Sequence, residues 1–363
     1  MLAGRDPALV ALAPGSDALA AGLRVGDPID DDVAVVVTTS GTTGTPKGAL
    51  LSAAALTAGA TATHDRLGGP GSWLLALPPH HIAGLQVLVR SALAGSTPVE
   101  LDVTNPSKGF DVGELPGATA RLGPGRRYTS LVAAQLAKAL TDPRAVAALA
   151  ELDAVLLGGG PAPRGVLDAA AAAGVPVVRT YGMSETAGGC VYDGVPLDGV
   201  RVRVAADGRI VLGGATLAKG YRNPVDPDPF AEPGWFRTDD LGAVDEAGVL
   251  TVLGRADDAI STGGLTVLPQ LVEAALGTHP AVGDCAVFGL ADDRLGQRVV
   301  AAVVVAEGRS APTLDALRAH VARTLDATAA PRELHLLDAL PRRGIGKVDR
   351  MALVRRFAGS GDQ

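Results

Sequence analysis

The segment from Thr38 to Gly48 combines hydroxyl groups, glycines and one lysine directly after an apolar run. Glycines let backbone N–H groups approach an anion closely, hydroxyls add donors, and a lysine supplies a compact positive charge. The segment therefore predicts a loop that holds a triphosphate. It is not a Walker A loop, because that motif places Gly directly before the lysine and Ser or Thr after it, whereas Pro46 and Gly48 flank Lys47. The predicted phosphate-binding residues are Thr39, Ser40, Gly41, Thr42, Thr43, Gly44 and Lys47.

Lysine is scarce in this chain, since only five of its 32 basic residues are lysines. Arginine evidently serves for ordinary surface charge, so a lysine in a Gly-containing segment suggests a role that arginine cannot fill. Lys47 lies in the segment above, and Lys347 lies in a second one near the end of the chain. The scarcity of lysine therefore singles out Lys47 and Lys347 as candidates for a role in the chemistry.

Short apolar runs alternate with Ala-rich stretches as far as about residue 195. The apolar runs predict strands, and the Ala-rich stretches predict helices. The predicted strands are 33–40, 73–79, 154–160 and 175–182, and the predicted helices are 52–67, 82–95, 128–140 and 166–174. This alternation is typical of an α/β domain with mostly parallel strands.

The pattern changes in the second half of the chain. Residues 201–214 and 241–255 each predict a hairpin, and together a small antiparallel barrel or sheet. A polar joint near Asp257 precedes a further small unit of helices and strands. We therefore predict a large domain over residues 1–256 and a small α+β domain over residues 257–363.

Composition excludes several classes of protein. The formal net charge is −7 and no cluster of basic residues occurs, which argues against a nucleic-acid partner. The chain shows no signal peptide and no apolar run of the roughly 18 residues that a membrane helix needs, so we expect a cytoplasmic protein without membrane insertion. Cys190 and Cys285 lack metal-binding spacing and are expected to be reduced thiols.

The segment TTSGTTGTPKG resembles the phosphate-binding signature of the adenylate-forming superfamily, which comprises acyl- and aryl-CoA ligases, peptide-synthetase adenylation domains and luciferases. Six further segments resemble the superfamily's other signatures in order. They are LPPHHIAG (77–84), GGGPAP (158–163), YGMSETAGG (181–189), GWFRTDDLG (234–242), LGRADDAISTGG (253–264) and PRRGIGKVDR (341–350). The resemblance implies ATP-dependent formation of an acyl-adenylate and then of a thioester with coenzyme A. It also implies the superfamily fold, here shortened at the N-terminus, with a mobile C-terminal domain that carries the catalytic lysine.

The resemblance also implies roles for single residues. For ATP these residues are Gly158, Gly159, Gly160, Tyr181, Gly182, Met183, Ser184, Asp240, Arg255 and Lys347, besides the loop that contains Lys47. Glu185 would contact Mg²⁺, His81 would line the acyl pocket, Asp257 would be the hinge, and Gly263 and Gly264 would let coenzyme A pass. The superfamily's usual Thr-Gly-Asp is here Thr238-Asp239-Asp240, so Asp239 has no role in this prediction. No tightly bound organic cofactor is expected.

Within the superfamily, the segments around residues 77–95 and 181–200 resemble the o-succinylbenzoate–CoA ligases of menaquinone biosynthesis, particularly their short actinobacterial form. Such a substrate carries a second carboxylate, which Arg90 could meet beside Gly188 and Gly189. The substrates would then be ATP, coenzyme A and an aryl dicarboxylic acid. The alternatives are another aryl- or acyl-CoA ligase, a carrier-loading adenylation domain, or a non-catalytic nucleotide-binding protein. Whether the chain forms a homo-oligomer stays open.

Overall fold

The computed structural model describes residues 7–39, 46–102, 109–343 and 346–358. Up to residue 196, the described elements in chain order are β1 (Leu9–Ala11), α1 (Asp17–Gly22), β2 (Val33–Val37), β3 (Ala49–Ser52), α2 (Ala53–Arg66), β4 (Ser72–Leu75), α3 (Ile82–Leu93), β5 (Val99–Glu100), α4 (Leu115–Ala120), β6 (Arg127–Val132), α5 (Ala133–Ala139), α6 (Pro143–Ala150), β7 (Ala154–Gly158), α7 (Arg164–Ala172), β8 (Val177–Met183), β9 (Gly188–Tyr192) and β10 (Val195–Pro196). The predicted alternation of strands and helices is confirmed.

The largest sheet has seven strands in the order β10-β9-β8-β7-β6-β4-β5. The pairs from β5 to β8 are parallel, and β9 and β10 join antiparallel at one edge. The central strands β6 and β7 are buried along almost their whole length. Such runs cannot alternate apolar and polar residues, because helices cover both faces of a parallel sheet.

One sequence prediction of a helix was wrong. We predicted a single helix over 128–140, but residues 127–132 form β6 and only residues 133–139 form α5. The residues of β6 after Arg127 are all buried, including the polar Thr129, whose hydroxyl donates to the Leu74 carbonyl at 3.1 Å. A strand that is buried on both faces shows no alternation of apolar and polar residues, so we predicted this run as the start of the helix that follows it.

A second sheet places the predicted phosphate loop. Its order is β1-β2-β3, and β2, with the sequence VAVVV, is entirely buried and leads to Thr38 and Thr39. Helix α2 follows β3 directly, and the Ser52 hydroxyl accepts a hydrogen bond from the Ala55 N–H at 3.1 Å, as a helix N-cap does.

The antiparallel unit follows as β11 (Val200–Val204), β12 (Arg209–Gly214), β13 (Trp235–Val244) and β14 (Leu250–Arg255). These strands pair in sequence order into one curled four-stranded sheet, so both predicted hairpins are confirmed.

The C-terminal part contains β15 (Ile260–Thr262), β16 (Leu265–Val267), α8 (Pro269–Leu276), β17 (Val282–Asp292), β18 (Gly296–Val305), α9 (Leu314–Val321), β19 (Glu333–Leu336), β20 (Arg342–Arg343), β21 (Lys347–Val348) and α10 (Arg350–Phe357). Strands β15 to β19 form one mixed sheet, while β20 and β21 form a separate two-stranded ribbon that presents Lys347.

The buried apolar clusters of the described residues divide on either side of Asp257. Five clusters draw only on residues up to 250, and two draw only on residues from 260 onward. This partition supports the predicted domain boundary, which stays a prediction. Among the helices that the structure describes, none is both long and apolar enough to cross a membrane.

Candidate active site

A chain of three polar side chains joins the seven-stranded sheet to the antiparallel sheet. The Tyr181 hydroxyl at the end of β8 donates to Asp240 Oδ2 at 2.7 Å, and Arg255 Nη1 lies 3.6 Å from Asp240 Oδ1. Burial raises the pKa of Asp240, while Tyr181, Arg255 and Lys347 each oppose that shift. Asp240 thus offers an acceptor-only group, suited to ribose hydroxyls, at the point where three elements converge.

Arg255 is the centre of a wider network. Its Nε and Nη2 donate to the two carboxylate oxygens of Asp257 at 2.8 and 2.7 Å, which is bidentate geometry. Its Nη2 also lies 3.5 Å from Asp239 Oδ2, and Arg209 Nη1 donates to Asp239 Oδ1 at 2.5 Å. Asp239, which has no predicted role, therefore pairs with two arginines, one of which also pairs with Asp240.

Glu185 is a buried carboxylate, 8% exposed, beside the predicted phosphate loop. The Tyr221 hydroxyl donates to its Oε1 at 2.6 Å, and Lys47 Nζ lies 5.5 Å from the centre of the Tyr221 ring. Burial raises the pKa of Glu185, whereas the Tyr221 hydrogen bond and the charge of Lys47 lower it. The structure thus brings Glu185 and Lys47, which are 138 positions apart, onto one tyrosine.

This geometry fits a magnesium ion bound with substrate. Mg²⁺ usually takes one or two carboxylates and completes its shell with phosphate oxygens and water. The described residues contain no group of three or more His, Cys, Asp or Glu side chains that could hold a metal by themselves. Glu185 is therefore suited to a metal that arrives with a nucleotide.

The segment after β8 lies against the start of the predicted phosphate loop. The Ser184 hydroxyl donates to the Thr38 carbonyl at 3.4 Å, and the Thr39 hydroxyl is buried without a partner among the described residues. A Cβ at Gly182 would lie 2.1 Å from the Gly188 carbonyl oxygen, so only glycine permits β8 and β9 to approach here. Met183 connects Gly182 to Ser184. The predicted loop residues Ser40, Gly41, Thr42, Thr43 and Gly44 lie outside the described residues.

Lys347 comes from the C-terminal part, yet its ammonium group lies near Asp240 and Arg255. Burial and the nearby charge of Arg255 lower its pKa, whereas Asp240 and Asp258 act in the opposite direction. A Cβ at the neighbouring Gly346 would lie 3.3 Å from Ala134 Cβ of helix α5. The ribbon that carries Lys347 is thus docked against the large N-terminal part.

The predicted acyl-binding residues surround helix α3. His81 precedes that helix, and burial lowers its pKa, with the neighbouring His80 adding to the shift. Gln86 lies on α3 and packs on β9: a Cβ at Gly188 would lie 3.1 Å from Gln86 Cγ. A Cβ at Gly189 would lie 3.1 Å from Tyr192 Cε1, which places Tyr192 beside this site.

Arg90 lies one helical turn beyond Gln86 and is only 3% exposed. Its guanidinium carbon lies 4.9 Å from the centre of the Trp73 ring, and its Nη2 donates to the Tyr192 hydroxyl at 3.4 Å. Its Nε has no partner, and no carboxylate lies within ion-pair distance, in the part of the chain that the structure describes. Burial accordingly lowers the pKa of Arg90. A buried cation without a carboxylate is costly, which points to a missing anionic partner.

Two sets of predicted glycines have few contacts with the other predicted site residues. Gly158 ends β7, where a Cβ would lie 2.6 Å from Thr180 Oγ1, and Gly159 and Gly160 follow it as exposed residues. Gly263 and Gly264 form the exposed turn between β15 and β16, and the Gly263 N–H donates to the Leu295 carbonyl at 2.9 Å. No contact in the described structure joins this turn to the nucleotide residues, so its role toward coenzyme A stays a prediction.

Two family models match this chain. The model described as AMP-binding enzyme matches residues 15–222, and the model described as AMP-binding enzyme C-terminal domain matches residues 271–347. The chain belongs to the AMP-binding enzyme family. The predicted membership of the adenylate-forming superfamily, and with it the fold class, is confirmed.

Relatives within the AMP-binding enzymes are similar over most of the chain. A probable 2-succinylbenzoate–CoA ligase of Mycobacterium tuberculosis H37Rv is 79% identical, with alignment over the whole chain and 94% of that relative. A 2-succinylbenzoate–CoA ligase of Geobacillus kaustophilus is 34% identical over 90% of this chain and 69% of its own length. The name 2-succinylbenzoate is a synonym of o-succinylbenzoate.

Solved structures of AMP-binding enzymes have the same fold. The o-succinylbenzoate CoA synthetase of Bacillus subtilis, in complex with its acyl-adenylate intermediate, superposes with a TM-score of 0.75 at 30% identity, covering 88% of this chain and 69% of that one. A structure of the same Bacillus enzyme with ATP and a magnesium ion has a TM-score of 0.73 at 30% identity, covering 89% and 71%.

Sequence reasoning missed several residues of this AMP-binding enzyme. Three residues that contact predicted site residues had no predicted role. Tyr221 lies outside the motif segments, and Gln86 and Tyr192 lie in segments whose other residues were assigned roles. A signal was available, because the chain has only four tyrosines, and three of them, Tyr181, Tyr192 and Tyr221, bond to polar side chains in this region. The scarcity of tyrosine, like that of lysine, is therefore a signal that could have identified these residues as candidates for the site.

Proposed function

We propose that this chain is a 2-succinylbenzoate–CoA ligase. The succinyl carboxylate attacks the α-phosphorus of ATP and releases pyrophosphate, and the thiol of coenzyme A then attacks the acyl-adenylate and releases AMP. The observation that carries the proposal is the meeting of Lys347, from the C-terminal ribbon, with the half-buried Tyr181–Asp240–Arg255 chain. This arrangement brings a cation from the C-terminal part to a carboxylate that is suited to ribose hydroxyls.

In the first step the protein's main task is to bring two anions together. The ribose hydroxyls bind Asp240, which Tyr181 and Arg255 hold in place, and the Lys347 ammonium stabilises the charge that develops on the bridging oxygens at the α-phosphate. Lys47 and the preceding loop bind the β- and γ-phosphates. Glu185 would hold Mg²⁺, which when bound neutralises phosphate charge.

The second step takes place at the carbonyl carbon of the acyl-adenylate and not at the α-phosphorus, so a different group must reach the site. We propose that the C-terminal domain, residues 257–363, turns about Asp257, withdraws Lys347 and brings Gly263 and Gly264 to the path of the coenzyme A thiol. Rotation about a hinge is a common way to assemble one site for two steps. We propose a cytoplasmic location, where ATP and coenzyme A are available. A homo-oligomer remains a prediction that sedimentation would test.

Two independent observations support an aryl dicarboxylic acid as the substrate. The relatives that carry the ligase name are similar over nearly the whole chain, and Arg90 is a buried arginine whose described surroundings offer no carboxylate. We propose that the ring carboxylate of 2-succinylbenzoate approaches Arg90 past Gly188 and Gly189. His81, with its lowered pKa, adds no charge at the entrance and lets the acid's apolar part pack there.

The deciding experiment is a thioester assay on a matched pair of acids. 2-Succinylbenzoate and 4-oxo-4-phenylbutanoate differ only by the ring carboxylate, and both are offered with ATP, Mg²⁺ and either coenzyme A or a carrier protein with its phosphopantetheine. We expect thioester and AMP with 2-succinylbenzoate and coenzyme A, and a kcat/KM about 100-fold lower without the ring carboxylate, because the site's buried charge then stays unpaired. Equal use of both acids would contradict the proposed substrate, and a preference for the carrier protein would favour an adenylation domain.

A further inference from the structure

Arg350 lies at the centre of a half-buried ionic network in the C-terminal part. Its Nη2 donates to both carboxylate oxygens of Glu273 at 2.7 Å, and its Nη1 lies 3.3 Å from Asp258 Oδ2. Its Nε donates to the Val287 carbonyl at 3.2 Å. The network thus joins helix α10, helix α8, strand β17 and the residue that follows the proposed hinge.

Neighbouring groups also donate hydrogen bonds to the carboxylates of Asp258 and Glu273. Gln270 Nε2 donates to Asp258 Oδ2 at 3.0 Å, and the Val287 N–H donates to Glu273 Oε1 at 2.7 Å. The side chains of Arg350 and Glu273 are 21% and 14% exposed. Burial raises the pKa of Glu273, and the charge of Arg350 opposes the shift. Removing one partner of such a largely buried pair leaves the other charge uncompensated, so the contact between α10 and α8 depends on both.

The position of Arg350 along the chain gives this network a consequence for catalysis. Arg350 is the first residue of α10 and follows Lys347 by three positions, with Val348 of β21 and the helix cap Asp349 between them. Asp258 is the residue after Asp257, which holds Arg255. The network therefore fixes the root of the Lys347 ribbon to the segment that also anchors the active-site arginine.

Helix α10 has other means of staying folded. Leu353 and Phe357 are buried in an apolar cluster with β17 and β18, and the Asp349 carboxylate caps the helix through the Ala352 N–H at 3.0 Å. The Arg350 network is thus not needed to form the helix. What it adds is a fixed distance between the helix start and the hinge segment.

We propose that Arg350, through Glu273 and Asp258, is a positioning residue that sets the reach of Lys347 into the nucleotide site. This inference rests on the proposed function, because it assigns the network to the adenylate-forming step. Lys347 acts only when its ammonium lies at the bridging oxygens, so a small displacement of the ribbon lowers the rate of adenylate formation. The thioester step, which does not use Lys347, keeps its rate.

The test separates the two half-reactions. The full-length variants Arg350→Met, Arg350→Lys and Glu273→Gln are compared with Arg355→Met, which changes an exposed arginine of the same helix. Adenylate formation is followed by release of pyrophosphate with 2-succinylbenzoate and ATP, and thioester formation by adding coenzyme A to synthetic acyl-adenylate. We expect R350M to lower the first rate about 100-fold, as misplacement by about 1 Å can do, and to change the second less than threefold. R350K and E273Q should lie between R350M and R355M.

Other outcomes overturn the inference. An equal fall in the rates of both half-reactions would show that the network only stabilises the fold. An unchanged adenylation rate in R350M would show that Arg350 does not position Lys347. If R350M does not fold, the same half-reaction split in R350K and E273Q decides. Failure of the proposed function is a separate result, since the unmodified protein would then form no adenylate from 2-succinylbenzoate.

Discussion

The candidate site has a nucleotide end, around Asp240 and Arg255, and an acyl end, around Arg90. The two ends differ in whether their charged side chains have partners of opposite charge. At the nucleotide end, Asp240 has a tyrosine and an arginine as partners, and Arg255 contacts three carboxylates. At the acyl end, Arg90 is more deeply buried, and the described groups offer it the Trp73 ring and the Tyr192 hydroxyl but no carboxylate. The charges of the first region are paired within the protein, and we propose that the substrate pairs the charge of the second.

This difference indicates where each kind of specificity resides. A network whose charges are already paired is rigid before substrate arrives, so it positions ATP with little reorganisation. A buried cation that lacks its anion instead favours only a ligand that supplies one, because any other ligand leaves the charge unsatisfied. We therefore expect substitutions at the nucleotide end to affect the use of ATP and the rate of adenylation, and substitutions at the acyl end to affect the choice of acid.

The largest effect is expected for Lys347→Ala. It removes the cation that the C-terminal ribbon brings to Asp240 and Arg255, so adenylate formation should fall about 10²- to 10³-fold. Thioester formation from synthetic acyl-adenylate should be retained, and rapid-quench measurement of each half-reaction checks this. If both half-reactions fell equally, the assignment of Lys347 to one step would be wrong.

The next effect tests the acyl end. Arg90→Met should raise the KM for 2-succinylbenzoate about 100-fold and leave the KM for ATP almost unchanged, because the charge that pairs with the ring carboxylate is gone. It should also abolish the preference over 4-oxo-4-phenylbutanoate.

The same variant distinguishes binding from folding. Removing a buried charge that lacks a carboxylate should raise the free energy of unfolding by about 1 kcal/mol, or the Tm by about 2 °C. Calorimetry of the free protein measures this, and a comparable fall in Tm would assign Arg90 to the core of the protein instead.

A smaller effect is expected in the pH dependence. Burial and Arg255 lower the pKa of Lys347, and the residue acts in its charged form, which is lost as pH rises through that pKa. Adenylation should therefore decline on the alkaline side below the usual range of a lysine, while the thioester step should not follow it. Parallel pH profiles of the two half-reactions check this. In Lys347→Arg the alkaline decline should disappear, because arginine stays charged.

The smallest effect is expected for Asp239→Gly, which restores the residue usual in the superfamily. Arg255 keeps Asp257 and Asp240 as partners, and the pairs of Asp239 are half exposed, so the KM for ATP should rise only about two- to fivefold. Asp239→Asn should give a smaller change than Asp239→Gly. A loss as large as that of Lys347→Ala would show that Asp239 takes part in the chemistry.

The sequence predicted elements well where local pattern and final environment agree. The hairpins around Asp207 and Glu246 and the capped helix after Ser52 are local features, and the structure confirms them. The run 128–140 was assigned to a helix because burial on both faces of a sheet removes the alternation by which a strand is recognised.

The candidate site shows the same division. Motifs and the scarcity of lysine identified Lys47, Glu185, Asp240 and Lys347, but neither indicated that Tyr221 joins two of them or that Asp239 pairs with Arg209. Such contacts depend on how separate elements pack, and no short segment of sequence records that.

The charges around Arg255 have a further consequence, for how ATP reaches the site. Four carboxylates, Glu185, Asp239, Asp240 and Asp257, lie among four cations, Lys47, Arg209, Arg255 and Lys347, and the whole chain carries a formal charge of −7. These groups leave no surplus positive field to draw a free polyanion from a distance. ATP should therefore arrive with its own counterion, and its association rate should change little with ionic strength.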